Sequence, residues 1–175
     1  LVAALKRNLK SEIAFWLDKF PLSIFNEYDK FFDTIDISRL LEEAVKTNLP
    51  PIIMAFLIQQ HIAPRVIQVN GFSAEAIPIF KSIIAGCGAS VALTRVYLKR
   101  SMTLLVNSYP ESNPEVFVDD TSMHTYNDMF DGALQDVIPS VTKFGEEVEL
   151  MGLSLSPKEV CSASFKKLAV AAKKE

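Results

Sequence analysis

The chain has 175 residues, 49% of them apolar and 22% charged, which suits one ordinary domain with its own core and excludes a disordered sequence. A net charge of −3 and an isoelectric point of about 5.5 exclude attraction of polyanions by overall charge, so any nucleic-acid contact needs local basic patches or flanking domains. Two cysteines, Cys87 and Cys161, and two distant histidines, His61 and His124, make neither a disulfide framework nor a zinc cluster. A reduced intracellular setting, nucleus or cytoplasm, is expected rather than secretion. No membrane span is expected, because the longest apolar run, PPIIMAFLI, falls far short of the ~20 residues required. Lys6, Arg7 and Lys10 interrupt the opening residues too often for a signal peptide. A helical pattern already under way at Leu1, without an initiating Met, suggests a piece of a longer protein.

In chain order, Leu5, Leu9, Ile13, Trp16, Leu17 and Phe20 form a helical stripe that Pro21 is expected to end. LSIFNEYDKFF follows as a strand that puts Phe25, Glu27 and Asp29 on one side. A helix with an acidic start at Asp33 and Asp36 is expected to run to Asn48. Pro50 and Pro51 open a short helix, apolar nearly all round and therefore expected to be buried. Residues 65–69 and 74–80 read as a hairpin about an Asn70-Gly71 turn. A small-residue loop, KSIIAGCGAS, leads into a long helix, and VFVDDTSMH suggests a second hairpin with its acid pair at the turn. A mostly helical stretch bent by Pro139 comes next, then the strand-like LSLSPKEV. Neither repeats nor low-complexity linkers occur, so a single domain of mixed α/β order is expected.

The stretch PEVFVDDTSMHTYN carries the strongest chemical signal. Val116, Phe117 and Val118 favour a buried strand, yet they run straight into Asp119 and Asp120. An isolated acid pair is usually a solvated turn. Here a second acidic cluster, NEYDKFFDTID, also lies where a strand passes into a helix. If the two strands pair, three or four carboxylates converge, and like charges resist sharing one site. A divalent cation offsets that repulsion, and hard oxygen ligands suit Mg²⁺ or Mn²⁺. Two such ions ~4 Å apart form the clamp used for phosphoryl transfer.

Five ordered segments resemble the palm of a reverse transcriptase of the retrotransposon and group II intron type. EYDKFFDTID, residues 27–36, is similar to the family's first acidic strand on Lys30, Phe32, Asp33 and Asp36. RVIQVNG from Arg65 resembles its short hairpin, and SIIAGCGASV from Ser82 its glycine-containing loop. FVDD, residues 117–120, resembles its Y-A-D-D, and GLSLSPKEV, residues 152–160, its late strand with a lysine. The likeness covers about residues 24–162. It implies an α+β fold in which an antiparallel sheet carries the catalytic carboxylates and packs on helices. Residues 1–23 would be a helix leading into the palm, and 163–175 a tail or the start of a connection to a thumb.

What the resemblance implies can be assigned residue by residue. Asp119 would be the main metal ligand and Asp120 a supporting carboxylate, with Glu27 standing where the family has its first catalytic aspartate. Asp29 could supplement Glu27 as a ligand. Phe117 would pack below the nucleotide or primer, and Phe32 beneath the sugar, favouring deoxynucleotides. Ala85 and Gly86 fall in the loop that approaches template and nucleotide. Lys158 matches the lysine assigned to protonating pyrophosphate. Two Mg²⁺ (or Mn²⁺) ions, an RNA template, a DNA primer and deoxynucleotides would be the cofactors and partners. The resemblance further implies basic fingers and a thumb, expected from other parts of a longer polyprotein.

Two letters depart from the family pattern: Glu27 replaces aspartate, and Ala85 replaces a glutamine. The extra methylene of Glu27 moves its carboxylate outward by about a bond length, while Mg²⁺ wants near-octahedral ligands at ~2.0–2.1 Å. Three classes therefore stand open. The first is an RNA-directed DNA polymerase palm; the second is a degenerate, inactive relative kept as a nucleic-acid-binding remnant. The third is an unrelated interaction domain whose acids are surface charges, and a wide separation of residues 27–29 from 119–120 would support it.

Overall fold

The computed structural model of the chain describes residues 2–118, 120–157 and 160–174, with only the backbone for residues 2–4. Its elements in chain order are helix α1 (Val2–Trp16), strand β1 (Phe20–Glu27), the single turn α2 (Phe31–Thr34), α3 (Ile37–Lys46) and α4 (Pro51–Ile62). A two-stranded ribbon, β2 (Gln68–Val69) and β3 (Phe72–Ser73), precedes α5 (Ser90–Ser108). The hairpin β4 (Glu115–Phe117) and β5 (Asp120–Asn127), helix α6 (Phe130–Leu150), β6 (Val160–Ala163) and α7 (Lys166–Ala172) complete it. The expected α+β class, an antiparallel sheet packed on helices, is what the chain adopts.

Four strands form one antiparallel sheet in the order β4-β5-β1-β6. With α5 between β1 and β4, and α6 between β5 and β6, the chain follows a split β-α-β-β-α-β order. Period-two alternation then sorts side chains by face. Leu22, Ile24 and Asn26 of β1 lie beside Thr125, Met123 and Thr121 of β5, and all six are buried. Pro21, Ser23, Phe25 and Glu27 point the other way, beside Tyr126, His124, Ser122 and Asp120.

The first face meets the helices. Helix α6 buries Ala133, Val137, Phe144 and Val148, a stripe at helical spacing, while α5 buries Leu93, Tyr97, Leu98 and Leu105, and α3 adds Ile37, Leu40 and Ala44. Removing one such aliphatic or aromatic side chain from water is worth about 1.5–3 kcal/mol. The Tyr97 hydroxyl donates to the Met151 carbonyl at 2.9 Å and fixes the end of α6 against α5. Among the described residues no helix is long and apolar enough to cross a membrane.

Several expectations need correction. The first helix ends at Trp16, not at Pro21, and the turn runs through Asp18 at φ +57°. Pro21 lies near the start of β1, before pairing with β6 begins at Leu22, where a missing N–H is tolerated. The helix expected from Asp33 to Asn48 is broken: α2 stops at Thr34, and Asp36 caps α3 by accepting from the Arg39 amide at 3.0 Å. Helix α4 has the expected bounds but is not buried. It buries Met54, Ile58 and His61 and packs Leu57 partly against the core, leaving Ile52 68% and Phe56 73% exposed. The first hairpin keeps its turn, with Asn70 and Gly71 both at positive φ, but only two residue pairs beside the turn form strands.

Candidate functional site

Glu27, the last residue of β1, is the direct cross-strand partner of Asp120, the first of β5. Cβ atoms of such partners stand about 4.5–5.5 Å apart on one face, so both carboxylates reach the same space. Both residues are exposed. Phe117 is the partner of Asp120 on its other side, and its ring is 65% exposed on the same face. Asp29 does not extend β1. Its amide donates to the Ser154 carbonyl at 2.8 Å, and the chain turns away at Lys30, φ +49°. Asp29 therefore lies at the same end of the sheet but off the strand that carries Glu27. Asp119 and Lys158 lie outside the described residues.

Only two residues separate Phe117 from its partner Asp120, and the first of them, Val118, has φ +59°. A β-branched residue in the left-handed region is a backbone outlier, and such strain of order 1–3 kcal/mol clusters at sites where function needs it. The acid-bearing hairpin is thus held by its neighbours in a shape its own sequence resists.

The small-residue loop is tied to the other acidic segment. Ile83 donates its amide to the Phe32 carbonyl at 2.8 Å, and Ser82 to the Ile35 carbonyl at 2.9 Å. Phe32 is half-buried and meets Phe31 edge-on at 5.5 Å, and the exposed Ala85 and Gly86 follow two residues beyond the Phe32 contact. His61, fully buried at the end of α4, accepts the Ile84 amide at Nδ1 at 2.8 Å, so its proton sits on Nε2. Burial first, and Arg65 second, lower its pKa. Arg65 also donates to the Ser82 hydroxyl at 3.2 Å, a fold contact. Pairing therefore brings Glu27, Asp120 and Phe117 together, and the loop separately brings Ala85 and Gly86 near Phe32.

The sheet face beyond the acids is covered. Helix α1 lies along it. The Arg7 guanidinium sits 4.5 Å from the centre of the Phe25 ring and donates to the Ser122 hydroxyl at 3.2 Å. His124, buried beneath α1, stands 3.7 Å from Glu115; burial lowers its pKa most, Glu115 opposes this, and Lys10 and Arg7 lower it further. The parity of β5, which sets Asp120, Ser122, His124 and Tyr126 on one face, was the available signal. Nothing in α1 itself announces the contact.

The fit to a divalent ion rests on two opposed, exposed carboxylates whose like charges are unfavourable as direct cross-strand partners. Their hard oxygens suit Mg²⁺ or Mn²⁺. Among the described residues no three His, Cys, Asp or Glu side chains converge as a ligand set, and Asp119 falls outside them. No protein-family model matches the chain, and no curated protein matches it.

Proposed function

We propose that this chain is the palm of a retroelement RNA-directed DNA polymerase. The observation that carries the reading is the register that sets Glu27 opposite Asp120, beside a hairpin strained at Val118. Two divalent ions held there would stabilise charge on the attacking primer 3′-hydroxyl and on the leaving oxygen. Asp119 would be the main ligand and Asp120 its supporting carboxylate, with Glu27 on the strand beside Asp120, and Asp29, as further donors. Phe117 supports the primer end, Phe32 excludes a 2′-hydroxyl, and the loop at Ala85 and Gly86 lets backbone approach the template. Lys158 takes the role of proton donor to pyrophosphate. An intracellular site of action, nucleus or cytoplasm, goes with this reading.

The inactive relative is the second reading, favoured by Glu27 and Ala85 at positions where the family has aspartate and glutamine. Primer extension decides between them. A protein carrying this chain with fingers and thumb is given an RNA template, a DNA primer and deoxynucleotides in Mg²⁺ or Mn²⁺. The polymerase reading expects extension that Asp120→Asn abolishes. Extension absent with Glu27, yet restored by Glu27→Asp, supports the degenerate palm. No extension by either protein ends the polymerase reading.

A further inference from the structure

We propose that the sheet face beneath α1 is a stacking platform for the bases of one nucleic-acid strand, covered by α1 until that strand displaces it. Ring-bearing side chains occupy this face on three adjacent strands: Phe117 on β4, His124 and Tyr126 on β5, and Phe25 on β1. Four-stranded antiparallel sheets with rings on such a face bind single strands by stacking bases on them. In this structure the place of a base over Phe25 is taken by the planar Arg7 guanidinium, 4.5 Å from the ring centre.

The cover fits its seat poorly. Among the described residues, the buried side-chain polar atoms that lack a hydrogen-bond partner include Arg7 Nε and His124 Nδ1, both in this one interface, where the Tyr126 hydroxyl faces Ser11 of α1. Buried polar groups are normally satisfied, so such a cluster marks a contact that another partner can improve. A cavity of about 340 Å³ also remains between Ser11, Phe15 and Trp16 of α1 and Pro21, Ser23 and Ser162 of the sheet. Meanwhile α1 holds the sheet with polar groups and leaves Leu5, Leu9 and Ile13 about half exposed or more. It thus gains little from burial of its apolar stripe.

Residues 17–19 join α1 to β1, and Lys6, Arg7 and Lys10 of α1 are the cations that would meet the strand's phosphates. The platform rests on the polymerase reading only for its direction, since it leads along β1 and β5 to Glu27 and Asp120. Stacking itself needs no metal.

Fluorescence anisotropy of the whole chain with a labelled oligouridylate of about ten nucleotides, in EDTA, tests the platform. Ser122→Ala removes the acceptor of Arg7 but keeps every cation of α1, and should tighten binding several-fold. Adding Phe25→Leu to it should weaken binding about tenfold, as loss of one stacked base does. If melting shows that Phe25→Leu unfolds the chain, Phe117→Leu at an exposed ring reads the same loss. Glu27→Gln should leave affinity undiminished, whatever it does to nucleotide addition, so the two readings fail separately. No binding by Ser122→Ala, or binding indifferent to both ring substitutions, overturns the platform.

Discussion

Glu27 and Asp120 face each other as direct partners across β1 and β5, although 92 residues lie between them in the chain. Two carboxylates so placed repel, which costs about 0.2–1 kcal/mol for a cross-strand pair of like charge. Glu27→Gln should therefore raise the melting temperature in EDTA. In millimolar Mg²⁺ the ranking should reverse, because only the native pair gains from ion binding. Melting curves in the two buffers check both signs.

Val118 offers a second test of the same hairpin. Val118→Gly, at φ +59°, should be neutral or stabilising by about 1 kcal/mol, since glycine takes this conformation freely. Val116→Gly, at a regular position of β4, should instead destabilise by about 1 kcal/mol. Urea denaturation of the two variants compares them, and an equal loss at both positions contradicts strain at Val118.

Gly132 inverts the usual helix rule. Glycine to alanine inside a helix normally stabilises by up to about 1 kcal/mol. A Cβ at Gly132, however, would stand 2.5 Å from Asn127 Oδ1. That amide cannot swing aside cheaply: it donates to Asp136 at 2.8 Å and accepts from the Met129 amide at 2.9 Å at the start of α6. Gly132→Ala should thus destabilise by about 1–3 kcal/mol, while Gly145→Ala, with open space at its Cβ, should stabilise slightly.

Stability should also fall in mild acid. His61 and His124 both have folded pKa values below the unfolded value of about 6.5, so the unfolded chain binds more protons. Their contribution is complete above pH ~6.5 and is lost as pH falls from there through the folded values, by at most about 1.4 kcal/mol per pH unit for each histidine. His61→Asn keeps an acceptor near the Ile84 amide and should flatten part of this acid limb. Denaturation midpoints between pH 7 and 5 measure the slope.

The parts of the fold set by local chemistry were legible in the sequence. Alternation at Phe25 and Glu27 marked β1, Asn70-Gly71 marked the turn between β2 and β3, and Pro51 opened α4 where expected. The acids of the two segments could be suspected of meeting, but register is a long-range property, and only pairing of β1 with β5 set Glu27 against Asp120. Burial of α4 was misjudged because apolar composition states what a helix could bury, not what lies against it. The cover over Phe25 was invisible for a similar reason, since Arg7 reads as a solvated cation until β5 supplies Ser122. Strain at Val118 likewise exists only because pairing of Phe117 with Asp120 forces so tight a connection.

The most direct test of the central claim is titration of the whole chain with Mn²⁺, followed by electron paramagnetic resonance of the free ion. The account predicts a bound ion that Mg²⁺ displaces, with affinity reduced at least about tenfold by either Glu27→Gln or Asp120→Asn, as for loss of one of few charged ligands. Binding that is absent, or that survives both substitutions unchanged, would contradict it and leave the paired acids as a surface feature of the sheet.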